Sequence, residues 1–252
     1  MSTIYPIMNV GTLNINKEKL AVQNANIQAP HTNEATLPFD NNANRYLINF
    51  TSKYQDDNEK TFDLEALQRL GITNFRATNE DGVRGESLSA RANKVFLAHI
   101  KEAGIERVID LRTADHSDKF PEACKAHGLE YSHFPIDSAV TPDEEIIKFL
   151  PELIDTINQG KFYISCAQGM HRTDIALSLY YLFNPDDSKK PPILYGHLKD
   201  GHLRYDDIFR RVNSIKNKLT PEDMENLHLD SNFEETFKNR KKELINYNQR
   251  FL

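Results

Sequence analysis

The chain is poor in cysteine: it has two in 252 residues, Cys124 and Cys166. So few do not make a disulfide framework, and a reducing compartment is the default for such a composition. No apolar run nears the roughly 18 residues that a membrane-spanning helix needs. The first residues, MSTIYPIMNVGTLNIN, lack the basic-then-apolar order of a secretory signal. The expected location is cytoplasmic, or outside the cell of origin by a route that leaves no signal peptide. An excess of positive charge is missing too. The net charge is −6, which argues against a general nucleic-acid binder. The basic stretch Lys238-Asn239-Arg240-Lys241-Lys242 lies among glutamates and reads as a solvated helix face. Internal repeats and flexible linkers are also lacking.

What is there is apolar material, 39% of the residues, enough for one sizeable core. Residues 1–60 are rich in Asn, Gln and Thr and show no sustained periodicity. They read as a polar, partly irregular extension with one or two strands. From Phe62 the texture changes. FDLEALQRLG has helical spacing and stops at Gly71, and residues 71–89 read as strand, loop and strand. SARANKVFLAHIKEAG predicts a helix closed by Gly104, RVIDL a buried strand, residues 117–127 a helix, and LEYSHF a strand. TPDEEIIKFLPELIDTI predicts the clearest helix, with Thr141 and Glu144 as a capping box and Pro151 as a point of kinking. KFYIS is then a strand, followed by a helix from Arg172 that carries Tyr180, Tyr181 and Phe183 as core residues. Strands alternating with helices predict an α/β fold, a mostly parallel central sheet flanked by helices. One domain over 61–252 is expected, ending in amphipathic helices at 203–219, 221–229 and 233–247.

The chemistry concentrates in KFYISCAQGMHRTD, residues 161–174. A strand, a tight loop and a helix start form an anion site, because loop N–H groups point inward and the helix dipole favours negative charge. A cysteine at the loop's entrance has its thiolate stabilised by the same field, and a nearby arginine adds to it. Cys166 would face the phosphorus of a bound phosphate monoester. Arg172 would hold two phosphoryl oxygens with its planar fork. Gly169 permits close backbone approach. This pattern suits phosphoryl transfer to cysteine.

Cys166-Ala167-Gln168-Gly169-Met170-His171-Arg172-Thr173 resembles the Cys-x5-Arg-Ser/Thr signature of protein tyrosine phosphatases, including the dual-specificity and inositol-phosphate branches. The resemblance covers about residues 70–185. It extends to Asn74-Phe75-Arg76, Arg84-Gly85 and the strand Val108-Ile109-Asp110-Leu111-Arg112, which are similar to strings in bacterial members. The resemblance implies a protein tyrosine phosphatase-like fold and catalysis without metal or cofactor. Residues 167–171 would form the phosphate-binding loop, and Thr173 would donate to the departing thiolate. It also implies a general acid on a loop after an earlier strand. Asp137, in HFPIDSAVTPDEE, fits that place; Asp143 and Glu144 are the runners-up, set aside as first-turn helix acids.

Three letters depart from the pattern. Ser165 replaces a common histidine, which predicts weaker thiolate stabilisation. His171 stands where glycine is usual and is read as pointing outward. Asp174 would oppose a bound dianion unless an arginine pairs with it, Arg84, Arg112 and Arg76 being the candidates. The expected substrate is a phosphotyrosine or dual-specificity phosphoprotein. The alternatives are an inositol phosphate or phosphoinositide, or an interaction module that binds phosphate with little turnover. A cysteine protease would leave Arg172 without a task. Cys124, on a helix, reads as a structural thiol, with a protective disulfide to Cys166 as the lesser alternative. His197 and His202 are read as loop residues, since further metal ligands are missing.

Overall fold

The computed structural model describes residues 61–91, 94–113, 119–137, 140–199 and 202–250. These all belong to one compact unit, Asn41–Leu252. The division expected at residue 60, and the strands suggested before it, lie outside the described residues.

The element order is α1 (Leu64–Arg69), β1 (Arg76–Ala77), β2 (Gly82–Gly85), α2 (Lys94–Glu102), β3 (Arg107–Asp110), α3 (Lys119–Ala126) and β4 (Glu130–His133). It continues with α4 (Asp143–Asn158), β5 (Phe162–Ser165), α5 (His171–Phe183), β6 (His197–Lys199), β7 (His202–Arg204), α6 (Asp206–Lys216), α7 (Pro221–Asn226) and α8 (Phe233–Gln249). The main sheet has the order β1-β2-β5-β3-β4. Only β1 runs antiparallel to its neighbour; β2, β5, β3 and β4 are parallel. The fold is therefore α/β with a mostly parallel sheet, as the alternation of strands and helices predicts.

Alternate residues of the sheet feed two cores, as a period of two requires. Ile109, Phe162 and Ile164 face α4, α5, α6 and α8. Val83, Val108 and Tyr163 face α1, α2 and α3. Burial on both faces is why β2, β3 and β5 are buried along their whole length. Parallel strands also end together. Gly85, Asp110 and Ser165 share one register row, so the loops after β2, β3 and β5 emerge on the same edge of the sheet. In open parallel sheets that edge is where ligand sites form.

Several local expectations are corrected. Thr141 does not cap α4 and Glu144 closes no capping box; the N-cap is Pro142, with no side-chain bond. Pro151 lies inside a helix that runs unbroken from Asp143 to Asn158, so the chain is not split there. His197 and His202 belong to strands of a two-stranded hairpin, which replaces the start of the helix expected at 203. No cluster of three potential metal-binding side chains occurs among the described residues. Arg240 is not on a solvated face: it is buried and donates to the carbonyls of Tyr181 in the last turn of α5 and of Asn184 and Asp186 just after it. Among the described residues no helix is long and apolar enough to cross a membrane.

Candidate active site

The segment from Cys166 to Met170 turns at the C-terminal end of β5 and hands over to α5 at His171. Its four carbonyls after the cysteine are all taken by donors outside the pocket. Ser87 N–H donates to Ala167 O at 3.1 Å. Asn74 Nδ2 donates to Gln168 O at 3.0 Å. Arg84 donates to Gly169 O from Nε at 3.1 Å and from Nη2 at 2.8 Å, and to Met170 O from Nη2 at 3.0 Å. Asp174 N–H closes the first helical turn on Met170 O at 2.8 Å. With the carbonyls turned outward, N–H groups are left to face inward.

That inward set acts on Cys166, which is 5% exposed. Burial alone would push its thiol up. The Thr173 hydroxyl and the N–H groups of Gln168, Met170 and Thr173 outweigh burial and hold the pKa below its ordinary value. The Thr173 side chain is fully buried and its hydroxyl is taken by no other group, which leaves its proton available to the sulfur. Ser165 is buried at the end of β5, and its carbonyl accepts from Leu111 N–H at 2.8 Å. The loop is thus ordered by main-chain bonds, by Asn74 and by Arg84.

Gly169 has a φ of +66°, and a Cβ there would sit 2.0 Å from Gly85 O. Only glycine allows the loop to lie this close to the end of β2. Ala167 and Gln168 are exposed, and Met170 and His171 are half-buried. Arg172 reaches across to Asp137: Nη2 is 2.6 Å from Oδ2, with side chains 29% and 16% exposed. The candidate acid and the candidate phosphate-binding cation thus meet at the mouth of the loop.

Asp137 lies after β4 on a loop fixed by Thr141. Asp137 N–H donates to Thr141 Oγ1 at 3.0 Å, and Thr141 N–H returns a bond to Asp137 O at 3.0 Å. Thr141 O in turn accepts from Arg211 Nη2 of α6. Asp143, the runner-up acid, is buried against Arg211, Lys218 and Ser214 and ties α4 to α6. Glu144 is largely exposed and paired with Lys218.

Of the three candidate arginines, Asp174 pairs with Arg84. Its carboxylate is fully buried and turned away from the loop, 2.7 Å from Arg84 Nη2. It also accepts from Tyr195 N–H at 2.9 Å and Gly196 N–H at 3.0 Å. Arg112 instead pairs with Asp110 at 2.6 Å. Cys124 is buried in the core on the other face of the sheet, and both cysteines are free. Burial, with Asp110 nearby, pushes its thiol up to about 12.

The sequence offers Arg84 within the Arg84-Gly85 string and as one of three candidate partners for Asp174, and does not show its grip on the loop. A signal was present: an arginine in a four-residue strand buried on both faces has to be bonded and neutralised. Asn74 was quoted only as part of a string. Its φ of +56° suits an asparagine at a turn, from which the side chain reaches Gln168 O.

No family model matches the chain, and no curated protein does. Solved structures do. A DUF442 protein of Shewanella putrefaciens CN-32 is 18% identical, with a TM-score of 0.43, over 62% of this chain and 97% of its own. The core catalytic domain of the PP-IP phosphatase SIW14 from S. cerevisiae is 15% identical, with a TM-score of 0.37, over 72% and 95%. TpbA of P. aeruginosa is 12% identical, with a TM-score of 0.35, over 67% and 91%.

Proposed function

We propose that the chain is a cysteine-dependent phosphatase that cleaves phosphate monoesters through a phosphocysteine intermediate. The observation that carries this is the loop at the end of β5, whose carbonyls are bonded by Ser87, Asn74 and Arg84, with Cys166 buried at its entrance and Arg172 paired with Asp137 at its mouth. The arriving dianion takes the Arg172 guanidinium from Asp137. The Cys166 thiolate attacks phosphorus and the ester P–O bond breaks. Asp137, released from Arg172, takes a proton from solvent and gives it to the leaving oxygen. In the second half Asp137 takes a proton from water, the water oxygen bonds phosphorus, and the P–S bond breaks. The thiolate leaves with Thr173 and the loop N–H groups donating to it.

The interaction-module alternative rested on Ser165 and Asp174. With the loop ordered by other bonds and Asp174 neutralised by Arg84, neither argues against turnover. A phosphotyrosine or dual-specificity phosphoprotein is the favoured substrate class. The two exposed loop residues, Ala167 and Gln168, offer no cation to a second phosphate.

The purified chain is expected to hydrolyse a small aryl phosphate in the presence of EDTA and to be blocked by vanadate. Metal-dependent turnover, or turnover that persists in Cys166→Ser, would sink the mechanism. Phosphotyrosine peptides, phosphoserine peptides, inositol hexakisphosphate and phosphoinositides, compared by kcat/KM, then separate the substrate classes. A clear preference for inositol hexakisphosphate would replace the phosphoprotein reading.

A further inference from the structure

We propose that Arg84 and Asp174 form a positioning couple that sets the Cys166–Arg172 loop from behind. Anion affinity and thiolate formation would then depend on side chains that never meet the substrate. A loop that receives an anion aims its N–H groups inward, so its carbonyls face out and need donors. At the exposed end of this loop, Ser87 N–H and Asn74 Nδ2 supply them. At its buried end the Gly169 carbonyl relies on Arg84, which also takes Met170 O.

The planar fork matters here. Nε and Nη2 close on Gly169 O, Nη2 also reaches Met170 O, and Nη1 reaches Ile193 O at 3.1 Å. A lysine in the same strand has the charge but not this geometry. Arg84 is 0% exposed, and a lone buried cation is costly. Asp174 neutralises it and is itself held by the N–H groups of Tyr195 and Gly196. The Tyr195 ring lies against the Arg84 guanidinium, 4.8 Å from its centroid, and the Tyr195 hydroxyl donates to Asn74 O at 2.7 Å. One buried network therefore joins β2, the start of α5 and residues 193–196 to the back of the loop.

The proposal rests on the phosphate-cradle reading of the loop but not on turnover, so its test uses two readouts that need none. One is the pH dependence of Cys166 alkylation by iodoacetamide, followed by mass spectrometry. The other is the dissociation constant for vanadate. The full-length chain, Arg84→Lys, Arg84→Met and Asp174→Asn are compared, with circular dichroism and thermal melts reporting the fold and Cys166→Ser as the alkylation control.

Arg84→Lys is expected to move the alkylation midpoint up by about one pH unit and to weaken vanadate about ten-fold or more, with larger changes in the same directions for Arg84→Met. Asp174→Asn gives the sharper contrast. It removes a negative charge beside an anion site, so electrostatics alone predicts tighter vanadate and a lower midpoint. If Arg84 depends on Asp174 for its place, both move the other way.

A folded Arg84→Lys with unchanged midpoint and vanadate affinity overturns the proposal, as does an Asp174→Asn chain that binds vanadate more tightly. Should the Arg84 variants fail to fold, Asp174→Asn decides alone. If the unsubstituted chain binds vanadate and shows a lowered midpoint but cleaves no phosphate ester, the phosphatase reading fails and the couple stands. If it binds no vanadate, the cradle fails and takes the couple with it.

Discussion

Cys166 and Cys124 are both buried, and what separates their chemistry is what donates to each sulfur. Burial raises both thiols. Only Cys166 has the Thr173 hydroxyl and three N–H groups to reverse the effect. Iodoacetamide at neutral pH is therefore expected to label Cys166 and spare Cys124, which peptide mass spectrometry reads directly; equal labelling would contradict the geometry. The same shift carries a sign for stability. A depressed folded pKa contributes stability that is full above the ordinary value of 9.0 and is lost as pH falls through the folded value. The Arg172–Asp137 pair predicts a second outcome at this scale. Asp137→Asn is expected to lower kcat by about 10²- to 10⁴-fold, the usual weight of a general acid. It should also bind vanadate more tightly, because the carboxylate that competes for Arg172 at 2.6 Å is gone. Weaker vanadate in Asp137→Asn would mean that the pair supports the site instead of competing with the anion.

Thr141 shows how one residue serves a different element from the one its sequence suggests. The string Thr-Pro-Asp-Glu has the letters of a capping box, yet the hydroxyl turns back to accept from Asp137 N–H. The cap and the acid loop need the same oxygen, and the loop has it. Thr141→Val keeps the shape and deletes that bond. It is expected to lower kcat about ten-fold, of the order that loss of one positioning hydrogen bond allows, and to leave Cys166 alkylation unchanged. An unaltered kcat would show that Arg211 on Thr141 O holds the loop by itself. The alternation of elements, the parallel sheet and the Cys166–Arg172 loop were legible because they follow from short-range pattern: apolar runs, helix starts, a glycine at a turn. What was not legible is long-range. Arg84 and Gly169 are 85 residues apart in sequence, and Asp174 meets Tyr195 N–H across 21. No local periodicity encodes such bonds. The β6–β7 hairpin was missed for the opposite reason, since three-residue strands are too short to show a period.

At the scale of the molecule, the helices after residue 205 form part of the core that holds the site. α5 is buried from Thr173 through Phe183, so it must be covered on every side. α4, α6 and α8 supply that cover. Phe183 at its C-terminal end packs on Phe233 and Phe237 of α8, with ring centroids 5.6 and 5.5 Å away, and Arg240 bonds the carbonyls of Tyr181 and Asn184. The helix whose first turn aims N–H groups at Cys166 is thereby fixed at its far end by α8. Phe237→Ala removes a side chain that is 4% exposed and is expected to cost about 3–5 kcal/mol, the range for a buried phenylalanine. Urea denaturation measures it. Well below the melting temperature the variant should keep the Cys166 alkylation midpoint of the unsubstituted chain, because the loop is held by Arg84, Asn74 and Ser87 and not by α8. A loss under 1 kcal/mol would mean that α8 is peripheral to the core. A midpoint that rises in the folded variant would mean that the far end of α5 governs the loop after all.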